Sequence, residues 1–69
     1  MNQKTALLTY LKRNPRGITI WTAMEMLGIA RLSERIRELE AEGVQIRRQA
    51  VVGEGLYGNT VRVIRYKLA

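Results

Sequence analysis

The hydrophobic pattern of this chain changes period once, at Gly43. Up to that point apolar residues recur three and four apart, as one face of a helix requires. Beyond it, Val44–Val52 and Thr60–Leu68 are rich in β-branched residues. Between them lies Gly53-Glu54-Gly55-Leu56-Tyr57-Gly58-Asn59, a glycine-rich loop able to supply positive φ angles. All helical segments therefore precede the strands, and the expected fold is a small helical bundle capped by a β-hairpin. That is a mostly α, α+β architecture in one domain spanning residues 1–69, about what 69 residues can fill with a single core.

Three helices are predicted. The first runs from Gln3 to Arg13 with Leu7, Leu8, Tyr10 and Leu11 on its apolar stripe and Asn2 as N-cap. Asn14-Pro15 stops it, because the residue before proline is pushed out of helical geometry. Gly17-Ile18-Thr19 reads as a very short extended segment. Thr19 then caps a second helix, Ile20 to Leu27, whose inner face is Ile20, Ala23, Met24 and Leu27. Gly28 ends that helix, and a turn through Ile29 and Ala30 leads into a third, reaching about Glu42. Leu32, Ile36 and Leu39 form its buried stripe. Trp21 lies off the centre of its helix's stripe, and a place in the core is favoured over stacking on a partner.

With the loop centred near Leu56, Ile46 is expected opposite Tyr66, Arg48 opposite Ile64, and Ala50 opposite Arg62. Val44, Ile46, Ile64, Tyr66 and Leu68 then cover the helices, with Arg48 and Arg62 on the same face nearer the tip. The other face carries Arg47, Arg65 and Lys67 low down and Val51, Val61 and Val63 toward the tip.

Charge narrows the function. The net charge is +6, and nine of the twelve basic residues are arginine, the side chain best shaped for phosphate and guanine. Met1–Met24 contains Lys4, Lys12, Arg13 and Arg16 and no acid. Glu25–Gly43 has five glutamates against three arginines, and Val44–Ala69 returns to five cations against Glu54. Histidine, cysteine and aspartate are absent, so acyl-transfer triads, thiolate zinc sites and aspartate two-metal sites lack their usual groups. No phosphate-binding glycine motif occurs. The chemistry expected is binding without catalysis, with no cofactor, metal or small-molecule ligand. No apolar run is long enough to span a bilayer, so no membrane partner and a cytoplasmic place are expected, nucleoid-associated when bound.

The stretch Leu27-Gly28-Ile29, continuing Ala30-Arg31-Leu32 and ending Glu42-Gly43 before a strand, resembles the winged helix-turn-helix superfamily. It looks most like short helix-turn-helix proteins of phages and prophages, where a Gly-Ile-x-Arg-Leu turn opens the recognition helix and Arg-Tyr-x-Leu closes the last strand. The matching residues are Gly28, Ile29, Arg31 and Leu32, then Arg65, Tyr66 and Leu68. Ala30 stands where a polar N-cap is usual. The resemblance implies a double-stranded DNA binder, a phage or mobile-element transcriptional regulator or an excisionase-like accessory factor. Its third helix would enter the major groove, its wing would lie on the backbone or minor groove, and a homodimer or a phage or host protein is left open as a further partner. The candidate contacts are Arg31, Ser33, Glu34, Arg35 and Arg37 on the helix, and Arg48, Tyr57, Thr60 and Arg62 on the wing. The blander alternative for the helix is a solvated face knitted by pairs such as Arg35 with Glu38. The rival functions are structured-RNA binding and a protein-interaction adaptor using the same fold.

Overall fold

Asn2 starts the first helix, α1 (Gln3–Arg13): its side-chain oxygen accepts from the Thr5 backbone N–H at 2.8 Å. The computed structural model describes residues 2–54, 58 and 60–69. At the far end of α1 the Asn14 side chain donates to the Tyr10 carbonyl at 2.8 Å, beside the Asn14 backbone N–H, which donates to the same oxygen at 2.9 Å. Helices α2 (Ile20–Leu27) and α3 (Leu32–Ala41) follow, then strands β1 (Ile46–Glu54) and β2 (Thr60–Leu68). All three helices begin and end where the sequence places them, within a residue at either end of α3.

The turn between α2 and α3 is tightly built. Gly28 takes the left-handed conformation at φ 66°. The next N–H, of Ile29, reaches back to the Ala23 carbonyl at 3.0 Å and folds the Ile29 side chain fully into the core. Sequence reading treats Ile29 as turn, yet it is as buried as Leu7 or Ile36. At the end of α3, Gly43 donates to Glu40 and Val44 donates to Leu39, both at 3.0 Å. This is the paired closure of a Schellman motif, and Val44 packs against the core as its apolar partner. Val44 therefore belongs to the helix end, which is why β1 starts at Ile46 rather than at Val44 as expected.

Leu7, Leu11, Ile18, Ala23, Ile29, Leu32, Ile36 and Leu39 form the core, with Ile46, Tyr66 and Leu68 packed over it from the hairpin and Val44 from the end of α3. Burial of such side chains contributes about 1.5–3 kcal/mol each. Ile18 does more than fill space. Its N–H donates to the Tyr66 carbonyl at 2.7 Å and its carbonyl accepts from the Tyr66 N–H at 2.9 Å, so it pairs with the free edge of β2.

Three expectations are corrected. Ile46 pairs with Leu68, Arg48 with Tyr66, Ala50 with Ile64 and Val52 with Arg62, a register shifted by two residues from the expected one. A shift of two preserves which face each side chain is on, so Arg48 and Arg62 still share the face of Tyr66. The strands run further toward the tip than a loop beginning at Gly53 allows. Secondly, Met24 is 55% and Ile64 38% exposed, so neither covers the core as expected. Thirdly, Trp21 is 44% exposed rather than buried. Its ring instead crosses to β1, where a Cβ added to Gly53 would stand 2.9 Å from the ring edge. Val51, Gly53, Val61 and Val63 on that side are half-buried, while Val52, Arg62 and Ile64 on the opposite side are exposed. The hairpin thus presents one face to the core at its base and the other to Trp21 toward its tip.

Gly17 makes the Ile18 bridge possible. Its φ is 89°, and a Cβ there would stand 2.2 Å from the Tyr66 carbonyl oxygen. Gly28 has a similar φ but open space around it. Gly17→Ala is therefore expected to cost about 3 kcal/mol, combining backbone strain with overpacking, and Gly28→Ala about 1 kcal/mol from strain alone. Urea unfolding of both variants checks this, and equal losses would show that the close approach of Gly17 to β2 carries no weight.

Candidate nucleic-acid interface

The start of α3 faces β2 across an open groove. Ala30, Arg31, Ser33 and Glu34 form one wall, Val63, Ile64 and Tyr66 the other, and Ile20 and Leu32 line the space between. Arg31 is the N-cap of α3, with no side-chain hydrogen bond to the helix N–H groups. The backbone closes instead through Arg35 N–H to the Arg31 carbonyl at 3.3 Å. That answers the missing polar cap at Ala30: the helix starts one residue later and leaves its first N–H groups open. Glu34 in the first turn supplies the negative charge that the helix dipole favours there.

At about 100° per residue, α3 distributes its polar side chains over three sides. Ser33, Arg37 and Glu40 fall on the hairpin side, and Ser33 lines the groove. Glu34 points outward between Arg31, 3.6 Å away, and Arg35, 3.5 Å away. Arg35 and Glu42 fall on the α1 side.

Ion pairs decide which candidates remain available. Arg35 is only 27% exposed along its side chain, and its Nε stands 3.2 Å from Glu38 without the alignment of a hydrogen bond. Arg48 donates two hydrogen bonds to Glu40, at 2.7 and 2.9 Å, and its guanidinium lies 5.5 Å from the Tyr66 ring centre. Lys4 of α1 pairs with Glu42. Arg31, Ser33 and Arg37 stay exposed on the helix, and Arg62 and Thr60 on the strand; neither Arg37 nor Arg62 has an acid partner among the described residues. Tyr57 lies outside the described residues.

The structure thus gathers Arg31, Ser33 and Glu34 beside β2 and leaves Arg62 exposed further along that strand. It ties Arg35 and Arg48 into the fold. The Arg35–Glu38 pair is legible at helical spacing. Nothing in linear spacing points to Arg48–Glu40 or Lys4–Glu42, which join different elements.

These pairs also shift titrations. The hydrogen bonds from Arg48 hold the Glu40 carboxyl below its ordinary range, aided by the charges of Arg48 and Arg37 and opposed by desolvation. The hydrogen bond to Glu42 raises Lys4.

A family model for a winged helix-turn-helix domain matches residues 2–69. The chain belongs to that family. Comparisons with curated proteins and with solved structures gave no significant match. In this winged helix-turn-helix domain, α2 and α3 are the helix-turn-helix pair and the β1–β2 hairpin is the wing. Family membership suggests DNA binding as its activity. Among the described residues no helix is long and apolar enough to cross a membrane, and no group of three or more acid, histidine or cysteine side chains is placed to hold a metal ion.

Because Glu40 is harder to protonate folded than unfolded, its pairing stabilises the fold fully above the ordinary carboxylate range. That contribution fades as pH falls through the lowered folded value. Wild type should therefore lose more thermal stability between neutral and strongly acid pH than Glu40→Gln, by a few degrees at most for so exposed a pair. Parallel melting curves against pH measure it; identical acid limbs would mean that the Arg48–Glu40 bond does not persist in solution.

Proposed function

We propose that this winged helix-turn-helix domain binds double-stranded DNA without catalysis, with the start of α3 reading the major groove and Arg62 of the wing lying on the phosphate backbone or in the minor groove. The observation that carries the reading is the internal neutralisation of the acid-rich half of α3. Glu38, Glu40 and Glu42 each face a cation of the fold, Arg35, Arg48 and Lys4 respectively. Without those pairs the back half of the helix would repel phosphate. With them, the exposed cations left on α3 and on the Tyr66 face of β2 are Arg31, which lies near Glu34, and Arg37 and Arg62, which have no acid partner among the described residues. Arginine at the start of a recognition helix pairs in a bidentate manner with guanine, and Glu34 accepts from cytosine.

The likeness of its turn and last strand to short phage and prophage proteins supports a role as a regulator or excisionase-like accessory of a mobile element. The sequence composes one domain over 1–69, acting in the cytoplasm on the nucleoid. Double-stranded DNA is the partner to which the geometry is best suited, and the test below includes duplex RNA as competitor.

About three phosphate contacts imply a log–log slope of affinity against salt near −3. Fluorescence anisotropy with a duplex chosen from a random pool measures it. Arg62→Glu should weaken one-to-one binding roughly tenfold on any sequence and flatten that slope, whereas Arg65→Glu, on the opposite face of the strand, should change it about twofold or less. A slope near zero, or preference for duplex RNA, sinks the proposal.

Specificity should reside in the helix. Alanine at Arg31 or Arg37 is expected to relax preference at particular base pairs by about 1–3 kcal/mol, with folding unchanged. Arg35→Ala should instead lower stability, since that side chain is half-buried between Glu34 and Glu38. If Arg31 and Arg37 variants keep every base preference, α3 is not the reading element.

A further inference from the structure

The wing carries a second set of cations on the strand face opposite Arg48, Tyr66 and Arg62. Arg47 and Lys67 are directly opposed across the two strands, and Arg65 stands opposite Gln49 on the same face. Like charges placed directly opposite destabilise a strand pair. Arg65 shares a groove with Arg16, Thr19 and Thr22, and Gly17 brings the Arg16 turn against the Lys67 side chain. Arg16 and Arg47 are exposed, Arg65 and Lys67 half-buried. None of the four has an acid within ion-pair distance among the described residues. The placement contrasts with α3, where glutamates meet cations of the fold. Here the sequence sets Arg47 and Lys67 directly opposite one another and leaves all four cations without an acid partner among the described residues.

We infer that this face, formed by Arg16, Arg47, Arg65 and Lys67, is a second phosphate-backbone surface, and that one domain holds two segments of duplex DNA at once. The inference rests on the DNA reading above. Ile64 and Tyr66 line the reading groove and Arg65 between them lines the other, although Val63, on the same strand face as Arg65, reaches the reading groove nearer the tip. A phosphate backbone fits because the surface presents four cations with no acid paired to them among the described residues, and the groove beside Arg65 adds the polar side chains of Asn14 and Thr22 to Tyr10 and Pro15. Contact there carries no base preference, since no helix or strand end is aimed into a groove. The second duplex is thus held by charge alone, and the arrangement suits looping or side-by-side packing of DNA.

The test is capture of a second duplex. Protein is loaded onto a bead-bound duplex, washed, and offered a labelled duplex of unrelated sequence at low salt. Mass photometry of the same mixture in solution counts chains per complex. Wild type should capture the labelled duplex with one chain joining two duplexes. Arg47→Glu with Arg65→Glu should load onto the first duplex within about twofold of wild type and lose capture of the second by roughly tenfold or more. Arg47→Glu alone gives Lys67 an acid directly opposite, so it should raise Tm by a few degrees while weakening capture. A merely structural role predicts the reverse, a loss of stability.

Failure of loading itself would remove the DNA reading; normal loading with no second capture would remove only this inference. Capture unchanged in the double variant, or two chains in every two-duplex complex, overturns it as well. So does a result in which vesicles containing phosphatidylserine, but not duplex, engage the Arg47 and Arg65 face.

Discussion

Two hydrogen bonds between Ile18 and Tyr66 hold this molecule in one shape. They are the point where a helical layer and a hairpin become a single fold, because Ile18 is buried among the helices and Tyr66 lies on β2. The hairpin could otherwise pivot on the short link from Gly43 to Ile46. The bridge fixes β2 at its base, and β1 follows through the ladder. It also fixes the sides of both grooves, since Ile18 leads directly into α2 through Thr19, and Tyr66 sits between Arg65 and the reading groove. Only glycine at 17 lets the chain come this close, because any larger residue meets the Tyr66 carbonyl.

Charge is organised by the same architecture. The acids are concentrated on one helix, and folding brings a cation to three of them from three different places: α1, α3 itself and β1. The exposed basic surface is therefore a product of folding rather than of composition. A net charge of +6 says that the surface is positive; the tertiary pairs say where it is positive.

Helix boundaries were legible because local chemistry sets them. Asn2, Asn14-Pro15, Gly28 and Gly43 each act through hydrogen bonds or φ values confined to a few residues. The face of each strand residue was legible too, through alternation. Register was not, since alternation survives any slip of two, and the loop length that decides between registers is not encoded in a short-range signal. Burial failed where a second element reaches in from far along the chain. Trp21, beside the apolar stripe of α2, reads as a core residue, but its ring crosses to the wing. Ile29 reads as turn, but the hydrogen bond from its N–H to Ala23, six residues back, turns it inward. For the candidate site, the sequence supplied the list of arginines and the structure sorted it. Arg35 and Arg48 face glutamates; Arg31, Arg37 and Arg62 face outward or toward the groove.

The indole of Trp21 against Gly53 has a geometric consequence. The wing is anchored at its base by backbone bonds and braced toward its tip by one aromatic ring projecting from the first turn of α2. The angle between the wing and the helix-turn-helix pair therefore depends on the reach of that ring, whose outer edge meets Gly53, as a strut holds the opening of a hinge. A bulkier residue at 53 would open the angle and a smaller side chain at 21 would let it close. Two positions that touch neither groove thus bear on the separation of α3 from Arg62.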